Sequence, residues 1–291
     1  MAKDRFNTKP GRVFDVANVL ILIFVGVVAV VPFLYCLAGS FATESEITMR
    51  PFFLWPHKFI LTSYQAILSS RMFTRAFITT IVVTVVGTAI QLGLTTLMAY
   101  PLSKVALPGR RVVMGCIVFT MVFSAGMIPT FIIVKNLGLL NSYWSLILPG
   151  AINPFNLIVM KNFFQDLPAE LEESAKIDGA GELRTLWSVV MPLSKPVLAT
   201  FGLFYAVGLW NDYTSPLLYL ADTKKWTLQM VLRQVTASAQ MTADQMQSDV
   251  PPPAQGVKFA VVIISTIPIL LVYPFLQKHF AKGMLIGSVK G

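Results

Sequence analysis

Charged side chains, cysteine and histidine are all scarce in this chain of 291 residues. Asp, Glu, Lys and Arg make up 13% of it, against about 25% in soluble domains, too few to clothe a soluble core of this length. The two cysteines, Cys36 and Cys116, stand far apart with no CxxC spacing, so they read as inert buried thiols. His57 and His279 are the only histidines, which leaves no metal cluster or catalytic triad to build from them. HExxH, GxSxG and a glycine-rich loop ending in Gly-Lys-Ser/Thr are absent too, so no nucleotide site or hydrolytic chemistry is legible. No repeat of 20 to 50 residues is evident.

What the chain has in excess is apolar surface, 55% of its residues. Mapping the charges gives six intervals free of Asp, Glu, Lys and Arg: 16–43, 76–103, 112–134, 136–160, 196–211 and 259–277. A hydrocarbon core of about 30 Å takes roughly 20 helical residues. The fifth interval reaches Ala221 only past Asp212, which must then lie near the surface or face a polar cavity. Ten-residue alternating strands are missing, so the spans are expected to be helices. The expectation is an all-α integral membrane protein with six transmembrane helices near 16–40, 76–101, 112–134, 142–163, 196–220 and 257–277. The first run is too long for a signal-peptide core, and Tyr35 before Cys36 does not suit a lipoprotein cleavage site.

Basic residues set the orientation. Lys3, Arg5, Lys9 and Arg12 precede the first span, Lys104, Arg110 and Arg111 sit between the second and third, and Lys278, Lys282 and Lys290 follow the last. With six spans these fall on one side, together with the loop 164–195, so both termini, including the segment 1–15, are expected in the cytoplasm. The net charge of +9 is then explained by topology. No basic stripe with interleaved aromatics supports nucleic-acid binding.

The loop 164–195 is the most informative stretch. Pro168 suits the start of a helix, Glu170, Glu172 and Glu173 complement its positive end, and Asp178-Gly179-Ala180-Gly181 supplies its stop. Leu171, Ser174, Ala175 and Asp178 fall at i, i+3, i+4 and i+7, giving one narrow face of mostly small residues. Six of the 14 acids, Asp166, Glu170, Glu172, Glu173, Asp178 and Glu182, gather here. Met191-Pro192 and Lys195-Pro196 break the chain again before the next span.

Glu173-Ser174-Ala175, three residues, Gly179, nine residues, then Val189-Val190-Met191-Pro192 resembles the EAA motif of ATP-binding-cassette importer permeases, EAA-x3-G-x9-I-x-L-P. Ser174 stands for the first Ala, Val189 for Ile and Met191 for Leu. The likeness extends to the smaller permease subunit of maltose-type carbohydrate importers. Phe123 to Thr130, Gly138-Leu139-Leu140-Asn141, Leu148-Pro149-Gly150, Ile177-Asp178-Gly179-Ala180, Trp210-Asn211-Asp212 and the ending Lys282-Gly283 to Val289-Lys290-Gly291 carry it. The first third of the chain is looser. Within that family the chain looks most like the branch for complex oligosaccharides, such as aldouronates and alginate fragments.

The resemblance implies a type I ABC importer permease fold. It also implies an assembly in the bacterial cytoplasmic membrane of two permeases, two cytoplasmic ATPases and an extracytoplasmic solute-binding protein. ATP and Mg would be bound by the ATPases, with no cofactor in this chain and no chemistry on the cargo. Carried onto this sequence, the helix docking in an ATPase groove holds Glu173, Ala175 and Gly179 as coupling residues, flanked by Leu171, Ser174, Asp178 and Ala180. The tail from Lys278 reads either as a positive-inside anchor or, by the resemblance, as a contact at the ATPase interface. The outer loop 222–256 reads either as a flexible connection or as a surface for the binding protein.

The substrate path is marked more weakly. Trp210, Asn211, Asp212 and Tyr213 interrupt an apolar run with aromatic, amide and acid groups, the chemistry that recognises sugars, and an intramembrane carboxylate is a functional-site hypothesis by default. Asn153 and Asn156, with Gln91, Thr95 and Thr96, could line the path or simply join helices. Two other classes stay open: a secondary transporter, for which only Asp212 lies near mid-membrane, and an ABC permease for a solute that is not a sugar.

Overall fold

The computed structural model describes residues 9–237 and 255–288, and side chains for 14–236 and 255–272. Lys3, Arg5, residues 238–254 of the outer connection 222–256 and the residues after Ser288 lie outside them. The described residues are helical, without a strand. In chain order the helices are α1 (Lys9–Ser40), α2 (Glu44–Met49), α3 (Thr62–Ser69), α4 (Arg71–Ser103), α5 (Arg110–Val122), α6 (Met127–Asn136), α7 (Trp144–Ile147) and α8 (Pro154–Gln165). There follow α9 (Ala169–Ile177), α10 (Glu182–Thr185), a π turn (Leu186–Val190), α11 (Met191–Leu193), α12 (Lys195–Asn211), α13 (Thr214–Tyr219), α14 (Leu228–Ala237) and α15 (Gln255–Ser288).

Three stretches among the described residues are long and apolar enough by length and composition to cross a bilayer: Phe14–Ser40, Arg71–Ser103 and Gln255–Val272. Two bent pairs pass the same test together, α5 with α6 at 119° and Glu182–Leu193 with α12 at 86°. The charge-free interval 112–134 thus holds two helices, parted at Gly126, whose φ of 83° only glycine adopts readily. In the interval 136–160, Pro149 and Gly150 separate α7 from α8. Pro154 opens α8, and the Asn153 side chain caps it by accepting the Asn156 N–H at 3.2 Å.

The chain divides into two compact units. The first contains α1, α2, α3 and the start of α15. Here Tyr35 meets the Phe259 ring edge-on at 5.4 Å, and a Cβ at Gly39 would fall 2.4 Å from that ring. The Glu44 carboxylate accepts the Gln255 N–H at 2.9 Å, placing a negative charge at the positive end of α15. Buried Glu46 accepts the His57 backbone N–H at 2.9 and 3.1 Å and pairs with Arg50 at 2.6 Å.

The His57 N–H, with Arg50, holds the Glu46 carboxyl below its ordinary value of 4.5 against the opposing effect of burial. A depressed carboxylate stabilises the fold fully above its unfolded pKa and loses that contribution as pH falls through the folded value. The thermal midpoint of the purified protein is therefore expected to fall below about pH 4.5, with a smaller fall in Glu46→Gln, measured by melting across pH.

The second unit runs from α4 to most of α14 and takes in α15 from Pro268. Its core joins Ala99, Tyr100 and Leu102 of α4 to Leu157, Met160 and Phe164 of α8, Leu186 and Val190 of the π turn, and Phe201 and Tyr205 of α12. The α4 run 76–103 carries no charge, and some of its hydroxyls bond to its own carbonyls, as Thr80 does to Ala76 and Thr96 to Leu92. Gly87 lets α12 approach, since a Cβ there would meet Leu209 at 2.6 Å.

Candidate functional site

Two places on the second unit hold the residues singled out by sequence. The first is the loop from α9 to α11. The first turn of α9 is acidic, with Glu170 and Glu172, as a helix N-terminus favours. Its end is a Schellman turn. The Ala180 N–H reaches back to Ala175 O at 2.9 Å, the Gly179 N–H to Lys176 O at 3.0 Å, and Gly179 takes φ 77°. No atom lies within 4 Å of where a Cβ on Gly179 would stand, so backbone geometry rather than crowding within this chain calls for glycine.

No residue of α9 is buried. Leu171, Glu173, Ser174, Asp178 and Gly179 are exposed, and Ala175 and Ala180 are half-buried. Glu173 has no ion-pair partner among the described residues, whereas Glu172 turns inward to Lys104. Ile177 is 87% exposed, and Leu183 and Trp187 of the same loop also lie open. The π turn precedes Pro192: the Met191 N–H bonds to Leu186 O, widening the helix where the proline ring would otherwise press on the preceding turn.

The loop is tied to the end of α4 by polar contacts. Tyr100 Oη donates to Glu182 Oε2 at 2.9 Å, and Lys176 pairs with Glu182 Oε1 at 2.8 Å. Lys104 contacts Glu172 and stands 4.4 Å from the Tyr100 ring centroid. The hydrogen bonds from Lys176 and Tyr100 hold the Glu182 carboxyl below its ordinary range. Burial pulls the Lys104 amine down, and attraction to Glu182 opposes it.

The second place is a cavity of about 570 Å³ among α4, α7, α8 and α12. Gln91, Ser145, Asn153, Asn156, Asn211, Asp212 and Ser215 bring polar groups to its wall, and Phe204, Tyr205 and Leu209 bring apolar ones. Among the described residues, Asp212 is the only charged one lining it. Tyr205 Oη lies 2.7 Å from Thr95 Oγ1 and accepts the Asn153 N–H at 3.2 Å, fixing the mouth of α8 against α4 and α12. Gln91 donates to Ile147 O at 3.1 Å, and Asp212 accepts the Ser215 N–H at 3.1 Å.

Of the six residues proposed for a substrate path, Asn153, Asn156, Asn211 and Asp212 share this cavity. Trp210 is buried away from it, edge-on to Phe77 at 6.1 Å. Tyr213 lies 5.9 Å from the Arg233 guanidinium. Sequence reading missed Phe204, Tyr205 and Gly208. A tyrosine amid the apolar run 196–211 was the available signal, because a phenol at that depth requires a partner. It also missed Asn141, which holds φ 56° and joins its loop to the end of α13 through the bond from its N–H to Tyr219 O at 2.7 Å.

Long apolar helices, a charged helix presented without burial and a polar cavity between helices suit a membrane transport component. The chain belongs to the family described as the binding-protein-dependent transport system inner membrane component, whose model matches residues 91–286. It is 60% identical over 98% of its length to Protein LplC of Bacillus subtilis (strain 168), covering 97% of that protein. It is 51% identical to the polygalacturonan/rhamnogalacturonan transport system permease protein YtcP of the same organism, over 96% of this chain and 99% of that one. Among solved structures, a bacterial ABC transporter involved in the import of the acidic polysaccharide alginate matches with a TM-score of 0.87 and 34% identity, over 94% of this chain and 99% of that chain. The fold is that of a type I ABC importer permease.

Proposed function

We propose that this chain is one permease of an ATP-driven importer that passes an oligosaccharide across the bacterial cytoplasmic membrane by alternating access. It crosses the membrane six times with both termini inside. A second, different permease completes the pathway, two ATPases bind the loops at the cytoplasmic face, and an extracytoplasmic binding protein delivers the cargo. The observation that carries this reading is α9, an unburied helix closed by Gly179, standing on the same compact unit as an amide-lined cavity. Docked helices would move as rigid bodies when the ATPases close, and the cavity would face each side in turn.

Acidic sugars are the cargo class favoured by the named substrates of YtcP and of the alginate importer. The cavity's amides and hydroxyls suit sugar hydroxyls, while Asp212 would repel a uronate carboxylate. Among the described residues no cation lines this cavity, and the partner permease is the proposed source of a cation for such a carboxylate.

The test is uptake into vesicles holding both permeases, the ATPases and the binding protein. Uptake of galacturonate or alginate oligomers is expected to require ATP and the binding protein, to survive collapse of proton and sodium gradients, and to exceed uptake of a neutral maltodextrin. Transport driven by an ion gradient without the ATPases would sink the proposal, and preference for the neutral sugar would remove the acidic-cargo part.

A further inference from the structure

Whatever force α9 receives has to reach the cavity, and the helix common to both places is α4. Gln91 of α4 lines the cavity. Nine residues further on, Tyr100 meets the coupling loop, a distance of about 13 Å at about 1.5 Å per residue. No proline interrupts α4 before Pro101, so this stretch can move as a rod. Leu186 and Val190 pack the returning arm of the loop into the core. The α9 helix buries no residue of its own and packs on the π turn and α10, and its side-chain links to the end of α4 are polar.

We infer that Tyr100 and Lys104 are positioning residues for energy coupling: by holding Glu182 and Glu172 they make α9 and the end of α4 a single moving body. Three further features support this. Glu182 is shared, with one carboxylate oxygen on Tyr100 and the other on Lys176 of α9 itself, so it bridges the two helices. Arg110 closes the neighbouring corner, donating to the Leu102 carbonyl at 2.8 Å and to Gln165 at 3.1 Å, which ties the α4 end to α8. Lys104 serves two partners, the Glu172 carboxylate and the Tyr100 ring. Removing it therefore loosens both contacts.

The inference rests on the ATPase-docking role proposed for α9, and the experiment separates the two. Tyr100→Phe, which keeps the ring and loses the hydrogen bond, is combined with Lys104→Met in the complete importer. Co-purification of the ATPases, basal ATP hydrolysis and its stimulation by the loaded binding protein are measured beside uptake. The ATPases should stay bound and basal hydrolysis persist, while stimulation and uptake fall by about tenfold, within the usual range of a coupling effect. The exchange pair Lys104→Glu with Glu172→Lys should recover most of the uptake that Lys104→Glu alone loses. Unchanged stimulation and uptake in the double variant, absence of recovery in the exchange pair, or loss of the ATPases from the double variant would each overturn the linkage. Failure of the unaltered chain to retain ATPases would overturn the docking role instead.

Discussion

Gly179→Val should abolish ATP-driven uptake, by about a hundredfold or more, while the chain still reaches the membrane. The expectation follows from φ 77° at this residue. A β-carbon in the left-handed region costs roughly 1 to 2 kcal/mol, and β-branching makes it worse. The strain falls on a two-bond turn that closes α9, and that turn sets where Ala180 and Glu182 stand. The added side chain meets nothing in this chain within 4 Å of its Cβ, so the global fold is spared and the damage is to the docked face. Measuring membrane-inserted protein beside ATPase co-purification and uptake decides it: normal uptake at normal protein levels would remove Gly179 from the coupling role. Glu173→Lys should act in the same direction through charge rather than strain. Glu173 is exposed and without an ion-pair partner among the described residues, so reversing it disturbs a partner's cation and little within the chain.

The second large effect is expected inside the cavity. Gly208 lies on its wall, and no atom stands within 4 Å of the place a β-carbon would take there. The β-carbon of Gly208→Phe therefore enters helix α12 without a clash, and its ring is expected to occupy part of the 570 Å³ space. Helix propensity gains rather than suffers from the change, by about 0.5 kcal/mol. Uptake should fall by more than about tenfold, the scale of one misplaced bulky group in a binding site, while basal ATP hydrolysis and ATPase binding remain. Loss of ATP hydrolysis in parallel with uptake would show that the cavity is structural, and unchanged uptake would show that cargo passes elsewhere. This outcome is the reverse of that expected at Gly179, where binding of the ATPases is the first thing to fail. Together the two variants separate a blocked path from a disconnected motor.

Some of this could be read from residue order and some could not. Spacing alone located the turn at Gly179, because a glycine stop followed by nine residues and then Val189-Val190-Met191-Pro192 is a local pattern. Counting charge-free intervals located the long helices α1 and α4 but could not see the 119° bend at Gly126 or the gap between α7 and α8. Hydropathy sums over a window and is blind to the one backbone angle that breaks it. Asn153, Asn156, Asn211 and Asp212 were found as polar groups in apolar surroundings, and all four reach one cavity. Trp210 had the same signal and packs on Phe77 instead, since the side a residue faces depends on helix rotation that neighbours fix. The Tyr100 to Glu182 bond joins positions 82 apart, and no local pattern announces such a contact.

The first helix has a consequence of its own. From Phe14 to Val30 every side chain of α1 is exposed, and the neighbours it finds in its own unit lie near its last turns, where Tyr35, Ala38 and Ser40 meet Phe53, Phe259 and Tyr64. Shape complementarity within the chain therefore places no demand on those residues; apolarity does. The segment should accept Leu, Ile, Val and Phe almost interchangeably, whereas Gly39, two turns or so further on, should accept nothing larger. Mutational tolerance along one continuous helix would thus switch from a solvent's criterion to a jigsaw's within a few residues.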